Sequence, residues 1–182
     1  MHLPACLAFS SECAWADDER GWAALREGGK VVLLRHIHVV IRDGIGRFAP
    51  GNCAAEVNLS AHGAEEASLF GQPFRAYGVA VGGDRSSSYG HCLDTGRLAF
   101  GCATAVPYLR SPGIVSDKEA AANDAWVLRK ILNHHGPSNL VMVSHALNMA
   151  NQILEPAKMG EFFVLQRNGA EFKLIGKIEA YE

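Results

Sequence analysis

The chain has 182 residues, 48% of them hydrophobic, and carries 17 Lys and Arg against 19 Asp and Glu. This length and composition suit an ordinary globular protein with one sizeable core, which needs no disulfide or metal for its stability. The balanced charge argues against a broad surface for nucleic acid or for a membrane, so any basic site must be local.

The first twenty residues differ from the rest of the chain. Residues 3–9 are apolar and residues 14–16 (AWA) have the form of a signal-peptidase site, but no Lys or Arg precedes the apolar run and Pro4 interrupts it. Two alternatives stay open for residues 1–20, a signal peptide or a disordered N-terminus, and residues 21–182 are assigned to a single domain. A cytoplasmic location is slightly favoured, with the periplasm or secretion as the alternative. No apolar run is long enough to span a membrane.

A buried type of strand is predicted at residues 31–34 (VVLL), and Arg35 and His36 follow it directly. Four consecutive β-branched or leucine residues are typical of a central strand in a parallel sheet, which is covered on both faces. Ligands bind at the carboxyl ends of such strands, and a fixed cation beside an imidazole suits an anion, above all phosphate. The alternative for this pair is a solvated polar turn after an ordinary strand.

A short helix at residues 17–27 precedes this strand, and a Gly- and Pro-rich stretch at 37–57 follows it. Structureless insertions of that length are usually functional, so we expect this one to cover or line the crevice. Ser60 is a plausible N-cap for the next helix. Residues 79–81 form a weak strand candidate, which ends at a glycine pair and a polar run at 84–88.

A helix predicted at residues 89–100 has His91 in its first turn, and its N-terminal backbone donors help to hold an anion if that end faces the crevice. Residues 104–109 form a short strand candidate. The clearest helix covers residues 116–135, with a serine cap and early acids. Its predicted apolar stripe consists of Ala122, Trp126, Leu128, Ile131 and Leu132.

The opening pattern returns near the end of the chain. Residues 140–143 (LVMV) form a second buried type of strand, and His145 lies just past its end. A helix is predicted at 146–154. Residues 162–166 and 171–178 form two strands joined by an Asn-Gly hairpin.

Two central strands therefore each deliver a histidine, His36 and His145, to the same edge of one predicted sheet. This arrangement suits phosphoryl transfer, in which one imidazole attacks phosphorus while Arg35 and the second imidazole neutralise the oxygens. That chemistry requires no metal and no cofactor. The five cysteines are scattered without C-x-x-C spacing, so they indicate neither a zinc site nor a redox motif. Two unrelated strand-end histidines are the structural alternative.

Four stretches in order carry a resemblance to the histidine phosphatase superfamily, the phosphoglycerate mutase-like proteins, and to its branch of small phosphatases. They are VVLLRH at 31–36, NLSAHGAEEA at 58–67, SSSYGHCLDTGRLAFG at 86–101 and VMVSHALNM at 141–149. The resemblance extends from about residue 30 to the C-terminus. It implies an α/β fold, a three-layer α/β/α sandwich with a mostly parallel central sheet.

The resemblance also implies roles for individual residues. A phosphohistidine forms on His36, Arg35 grips the phosphate, and His145 holds the same phosphate and stabilises the transition state. Asn58 opens the second block and His91 belongs to the third, and we assign substrate binding to both.

The sequence departs from the pattern of the superfamily at several positions. His91 stands where a second phosphate-binding arginine is usual, Ile37 where a small residue is usual, and Val57 where related small phosphatases often carry an arginine. Histidine lacks the permanent charge and bidentate fork of arginine, and losing one charged donor to the transition state costs on the order of 3 kcal/mol, a factor of about a hundred in rate. The general acid is unassigned. Asp117 and Glu119 are candidates, but we favour them as first-turn helix acids.

The first hypothesis is therefore a phosphatase that hydrolyses a small phosphomonoester through a phosphohistidine on His36. Its partner is a small phosphorylated substrate, without nucleic acid or membrane. The alternative is a catalytically degenerate member of the superfamily that works as a binding or regulatory protein, because the second arginine and an obvious acid are missing. A true mutase is less expected, because the resemblance implies that mutases are longer and carry insertions shaping a glycerate pocket.

Overall fold

The computed structural model describes residues 11–40 and 56–179, with side chains from residue 18 onward in the first range. Within these residues none of the helices combines the length and the apolar character of a membrane span. Two short 3-10 turns, Pro107–Leu109 and Pro112–Ile114, connect the third strand to the fourth helix. The helices and strands are, in order, α1 (Ser11–Glu27), β1 (Val31–Arg35), α2 (Ala61–Ala76), β2 (Val81–Ser87), α3 (Gly90–Phe100), β3 (Thr104–Val106), α4 (Asp117–Asn133), β4 (Asn139–Ser144), α5 (Ala146–Ile153), β5 (Glu161–Asn168) and β6 (Glu171–Glu179).

One six-stranded sheet organises the described residues, in the order β3-β2-β4-β1-β5-β6. The strands β3, β2, β4 and β1 are parallel, and β5 and β6 join that set in antiparallel pairing. Side chains of α1, α2 and α3 pack on one face, and those of α4 and α5 pack on the other. The predicted three-layer α/β/α sandwich with a mostly parallel central sheet is therefore confirmed.

The strand β1 lies inside the sheet, between β4 and β5, as its apolar sequence predicts. Val32 and Leu34 belong to the core on the α1–α3 side, whereas Val31 and Leu33 belong to the core on the α4–α5 side. All four side chains are at most 2% exposed. Successive residues of a strand point to opposite faces, so a strand covered on both sides is apolar throughout. Polar residues can emerge only at its end.

Most of the other predicted elements are confirmed, with shifted ends. Ser60 caps α2 by accepting a hydrogen bond from the Gly63 amide at 2.8 Å. The hairpin of β5 and β6 pairs as predicted. The helix α1 begins at Ser11, earlier than predicted. Residues 1–10 lie outside the described part of the chain, so the nature of residues 1–20 stays a prediction.

The strand β2 differs from its prediction. The sequence predicts a strand at 79–81 that ends at a glycine pair, but β2 covers Val81–Ser87 and runs through both glycines into the polar residues. The Ser86 hydroxyl donates to Asp84 Oδ1 at 2.7 Å, so one of the two buried carboxyl oxygens has a hydrogen-bond partner among the described residues, whereas Oδ2 has none. Gly96 on α3 leaves space for the Asp84 carboxyl group, because a Cβ at that position would lie 2.7 and 2.9 Å from the two Asp84 oxygens.

The predicted helix at 116–135 is confirmed as α4, which begins with a capping box of Ser116 and Glu119. Of the predicted apolar stripe, Ile131 is buried and Leu132 is half-buried, whereas Ala122 and Leu128 are exposed. Trp126 is only half-buried, and its ring stacks on that of Tyr108 with 5.4 Å between the centroids. The fully buried residues of α4 are Asn123, Val127 and Ile131.

The buried Asp84 carboxyl makes the stability of this fold depend on pH. Burial raises its pKa from 3.8 to about 6, although the Ser86 hydrogen bond and the Arg85 charge act in the opposite direction. The folded state therefore binds a proton more tightly than the unfolded state, and this group favours folding at low pH. As the pH rises from about 4 through about 6, that contribution is lost, and the ionised carboxylate then destabilises the fold.

We predict that Asp84→Asn is more stable than the wild type at high pH and loses this advantage in acid. A pKa shift of about two units corresponds to about 3 kcal/mol, so the difference in free energy of unfolding should shrink by up to that amount between about pH 8 and pH 4. Urea unfolding over this range measures the difference. The control is Asp117→Asn, which removes an exposed carboxylate at the start of α4. A difference that does not change with pH would contradict the prediction.

Candidate active site

The parallel pairing of β1 with β4 brings the two strand-end histidines together. Arg35 is level with Ser144, so His36 and His145 leave adjacent strands at the same height. The His36 amide extends the ladder by donating to the Ser144 carbonyl at 3.1 Å. The centroids of the two imidazole rings are 5.3 Å apart. The expected meeting of the two histidines at one sheet edge is therefore observed.

His91 joins this pair from the first turn of α3. Its ring centroid lies 4.4 Å from that of His36 and 5.4 Å from that of His145. One ring nitrogen of each residue lies within 4.8 Å of the other two. The Tyr89 ring packs against the group, with centroids 5.3 Å from His91 and 5.2 Å from His145. We call His36, His91 and His145 the histidine cluster.

Backbone hydrogen bonds fix the proton position on two of these rings. His36 Nδ1 is 2.9 Å from the Ile37 carbonyl oxygen, and His91 Nδ1 is 2.9 Å from the Val57 carbonyl oxygen. A carbonyl oxygen only accepts hydrogen bonds, so each Nδ1 carries the proton. Each Nε2 therefore keeps its lone pair for a ligand or a substrate.

His145 is held through its Nε2 atom instead. Ser87 Oγ lies 3.0 Å from this nitrogen and Cys92 Sγ lies 3.7 Å from it. When the ring donates to the Ser87 hydroxyl, the lone pair of His145 is on Nδ1. Burial raises the pKa of the Cys92 thiol well above its ordinary value, so the sulfur stays protonated and is a packing neighbour rather than a nucleophile.

Burial keeps the histidine cluster uncharged. It lowers the pKa of His36 well below 6.5, and the nearby His91 and His145 lower it further. It also lowers the pKa of His91, against the effect of the backbone hydrogen bond. The pKa of His145 falls to about 3, first through burial and then through His91 and Arg35. Three neutral imidazoles therefore face one another at neutral pH.

Arg35 is close enough for its charge to act on both His36 and His145. Its Nη1 donates to the Ala157 carbonyl at 2.7 Å, and its Nε is buried without a hydrogen-bond partner among the described residues. Burial lowers the pKa of the guanidinium, while the Glu161 charge acts in the opposite direction. An unpartnered buried donor on a cation suits an oxyanion. That Arg35 grips a phosphate stays a prediction.

Glu56 is a candidate that sequence reasoning missed. Its side chain is 4% exposed, and its Oε2 accepts a hydrogen bond from the Gly90 amide, at the start of α3, at 2.9 Å. Its Oε1 is buried without a partner in the part of the chain that the structure describes. The carboxylate thus lies at the positive end of the helix that carries His91. A lone acid in a glycine-rich stretch has no periodicity, and its place shortly before Asn58 is the one signal that could have found it.

Asn58 borders the same helix start and holds the segment that carries Glu56. Its Nδ2 donates to the Glu56 carbonyl at 3.2 Å, and its own carbonyl accepts from the Val40 amide at 2.9 Å. A Cβ on Gly90 would lie 3.7 Å from Asn58 Oδ1. These contacts position neighbouring residues, and the substrate-binding role of Asn58 stays a prediction.

The stretch between β1 and α2 is anchored at the end that approaches α2. The Ser60 amide donates to the His38 carbonyl at 3.0 Å. Gly63 allows the helix to approach that carbonyl, because a Cβ at this position would be 2.0 Å from its oxygen. Residues 41–55 lie outside the described residues, so the crevice-lining role expected for 37–57 stays a prediction.

The two acids considered from the sequence, Asp117 and Glu119, are exposed in the first turn of α4. Glu119 Oε2 accepts a hydrogen bond from the Ser116 amide at 3.2 Å. This bond, together with that from the Ser116 hydroxyl, lowers the pKa of the Glu119 carboxyl. The favoured interpretation of these residues as helix-start acids agrees with their positions.

Neither the comparison with protein-family models nor the comparison with curated proteins gave a match. Solved structures, in contrast, match most of the chain. A variant of phosphoserine phosphatase from Entamoeba histolytica, in complex with phosphoserine, is 12% identical with a TM-score of 0.63, and the match covers 84% of this chain and 98% of the other. The Bacillus stearothermophilus protein YhfR is 13% identical with a TM-score of 0.63, over 84% and 99% of the two chains.

A third solved structure is that of the protein histidine phosphatase SixA complexed with tungstate. It is 14% identical with a TM-score of 0.57, over 83% of this chain and 97% of the other. At these identities the likeness establishes a common fold. The chain shares the fold of these solved structures, which is the fold that the resemblance of the four sequence blocks implies.

Proposed function

We propose that this protein is a phosphatase that hydrolyses a small phosphomonoester through a phosphohistidine on His36. The observation that carries the proposal is the position of His36 and His145 on adjacent parallel strands, with a lone pair on His36 Nε2. A neutral imidazole is a nucleophile without first losing a proton. Arg35 offers a buried donor to the phosphate, and His145 stabilises the transferred charge.

The reaction has two steps that share one intermediate. In the first, His36 Nε2 attacks phosphorus, the N–P bond forms, and the bond to the leaving oxygen breaks as that oxygen takes a proton. Glu56 is the donor that we propose, because its carboxyl lies at the helix start beside His91. In the second step, water attacks phosphorus, a proton passes to the Glu56 carboxylate, and the N–P bond breaks to release phosphate.

The substrate class follows from the groups around the cluster and is supported by the solved structures. Arg35 and the imidazoles suit a phosphoryl group, and the balanced charge of the sequence argues against a broad basic surface for a nucleic acid. One relative is a phosphoserine phosphatase bound to phosphoserine, and another is a protein histidine phosphatase bound to tungstate, which is an oxyanion. A substrate screen therefore includes phosphoserine, a phosphohistidine peptide and simple alkyl and aryl phosphates.

We predict that His36→Ala abolishes both phosphate release and labelling of the protein. The nucleophile is lost, so turnover should fall by roughly a thousandfold or more. Rapid acid-free quenching with a radiolabelled phosphomonoester measures an acid-labile phosphoryl group on the wild type and none on the variant. The control is His38→Ala, because His38 is an exposed histidine two residues away. Turnover that survives in His36→Ala would disprove the proposal.

Glu56→Gln tests the proton donor. The amide oxygen can still accept from Gly90, but the side chain cannot donate a carboxyl proton. We expect kcat/KM for an alkyl phosphate, which reports formation of the phosphohistidine, to fall by roughly a hundredfold, while kcat/KM for p-nitrophenyl phosphate, whose leaving group needs no proton, changes little. Glu119→Gln is the control, since that acid is exposed at the start of α4. Equal losses on both substrates would assign Glu56 to holding the helix instead.

His91→Arg tests whether the missing cation limits the rate. Arginine adds a permanent charge and a second donor beside the transition state, so we expect kcat/KM for phosphomonoesters to rise roughly tenfold to a hundredfold. His135→Arg adds the same charge at an exposed position and is the control. If neither the wild type nor His91→Arg hydrolyses any phosphomonoester, the alternative of a binding or regulatory protein is the better one.

A further inference from the structure

We propose that the histidine cluster binds one divalent transition-metal ion, with Zn²⁺ as the expected occupant and Co²⁺ as its spectroscopic substitute. Imidazole nitrogens are favoured ligands for these ions, and three of them leave a fourth position open to water or an anion. The sequence does not predict such a site. Its ligands, His36, His91 and His145, are far apart in the chain and have no metal-binding spacing.

The distances within the cluster come close to those of a metal site. One ring nitrogen of each histidine lies within 4.8 Å of the others. In a tetrahedral site with Zn–N distances of about 2.0–2.1 Å, the nitrogens are about 3.3 Å apart. The widest pair of nitrogens must therefore close by up to about 1.5 Å for all three to bind one ion. Their common position is set by the backbone, because β1, β4 and the first turn of α3 are neighbours in the fold.

Two of the three rings already have the hydrogen bonds of metal ligands. A histidine that binds a metal usually donates its other ring N–H to a carbonyl or a carboxylate, which fixes the ring and leaves a lone pair on the binding nitrogen. His36 and His91 donate to backbone carbonyls at 2.9 Å. His145 lies 3.0 Å from Ser87 Oγ, which serves the same purpose. The cluster is thus oriented before any ion arrives.

The charges around the cluster also suit a cation. The Nδ1 hydrogen bonds of His36 and His91 leave their Nε2 lone pairs available to a cation. The Glu56 carboxylate lies at the start of α3, and the Asp94 charge acts on His91. Arg35 is the opposing cation, and the Glu161 carboxylate lies close enough to act on it. Glu56 therefore favours the ion, the ion pair of Asp94 with Arg97 at 3.1 Å limits the effect of Asp94, and one partly compensated arginine disfavours the ion.

A surface group of histidines supplies a matched control. His38 Nδ1 lies 2.7 Å from Glu66 Oε2, and His62 Nε2 lies 3.4 Å from Glu66 Oε1. Their side chains are 52% and 74% exposed. Exposed imidazoles of this kind take up metal weakly and nonspecifically, so removing both separates surface binding from binding by the cluster.

The experiment titrates Co²⁺ into the tag-free full chain after dialysis against a chelator. We expect one Co²⁺ per chain, with the intense visible absorption of a tetrahedral nitrogen site, and displacement by one equivalent of Zn²⁺. His91→Gln and His91→Arg should each weaken binding by roughly a hundredfold or more. The double variant His38→Ala/His62→Ala should bind as the wild type does. Circular dichroism and urea unfolding establish that each variant is folded.

Three results would overturn the proposal. They are the absence of saturable Co²⁺ binding to the wild type, unchanged binding in both His91 variants, and loss of binding in the surface double variant. A thiolate charge-transfer band would also overturn it, because that band identifies a cysteine ligand. The inference goes beyond the proposed phosphatase activity, and its test measures binding rather than turnover, so each proposal can fail without the other.

Discussion

The site depends on one constraint, the register in which β1 and β4 pair. Because Arg35 is level with Ser144, the histidines that follow the two strands emerge side by side. Side chains alternate between faces along a strand, so a slip of one residue would send His36 to the opposite side of the sheet. The register is fixed at the opposite end of the two strands, where the buried Asn139 side chain accepts a hydrogen bond from the Lys30 amide at 3.0 Å. Residues that take no part in the reaction therefore position the reacting histidines.

Much of this arrangement can be predicted from the sequence because its signals are local. Strands buried on both faces leave continuous apolar runs, and the histidines at their ends follow directly. The extent of β2 and the burial of Glu56 cannot be predicted in this way, because the residues that accommodate these polar side chains lie elsewhere in the chain. Asp84 is accommodated because Gly96, on a helix, has no side chain, and Glu56 is buried because Gly90 offers it a backbone donor. Such compensation appears only after the elements are assembled.

The two proposals for the histidine cluster are physically exclusive at any one moment. The Nε2 lone pair of His36 can attack phosphorus or bind a metal ion, but it cannot do both. The Arg35 guanidinium favours the anion, whereas the Glu56 carboxylate and the imidazole lone pairs favour the cation. His91 decides between binding of the anion and binding of the metal ion, because arginine in its place would add a permanent charge and remove a metal ligand. A phosphatase that a metal ion switches off is the simplest way in which both can hold.

The Cys92 thiol can be used to follow opening of the site around the histidine cluster. The thiol is fully buried against His145, with its pKa raised by burial, whereas the Cys102 thiol is exposed. Alkylating reagents react with thiolates, so on the folded protein they modify Cys102 and reach Cys92 only when α3 lifts away from the sheet. The rate of Cys92 alkylation, measured peptide by peptide, therefore reports how often the site opens. It shows, without requiring any turnover, whether a bound ion or substrate slows that opening.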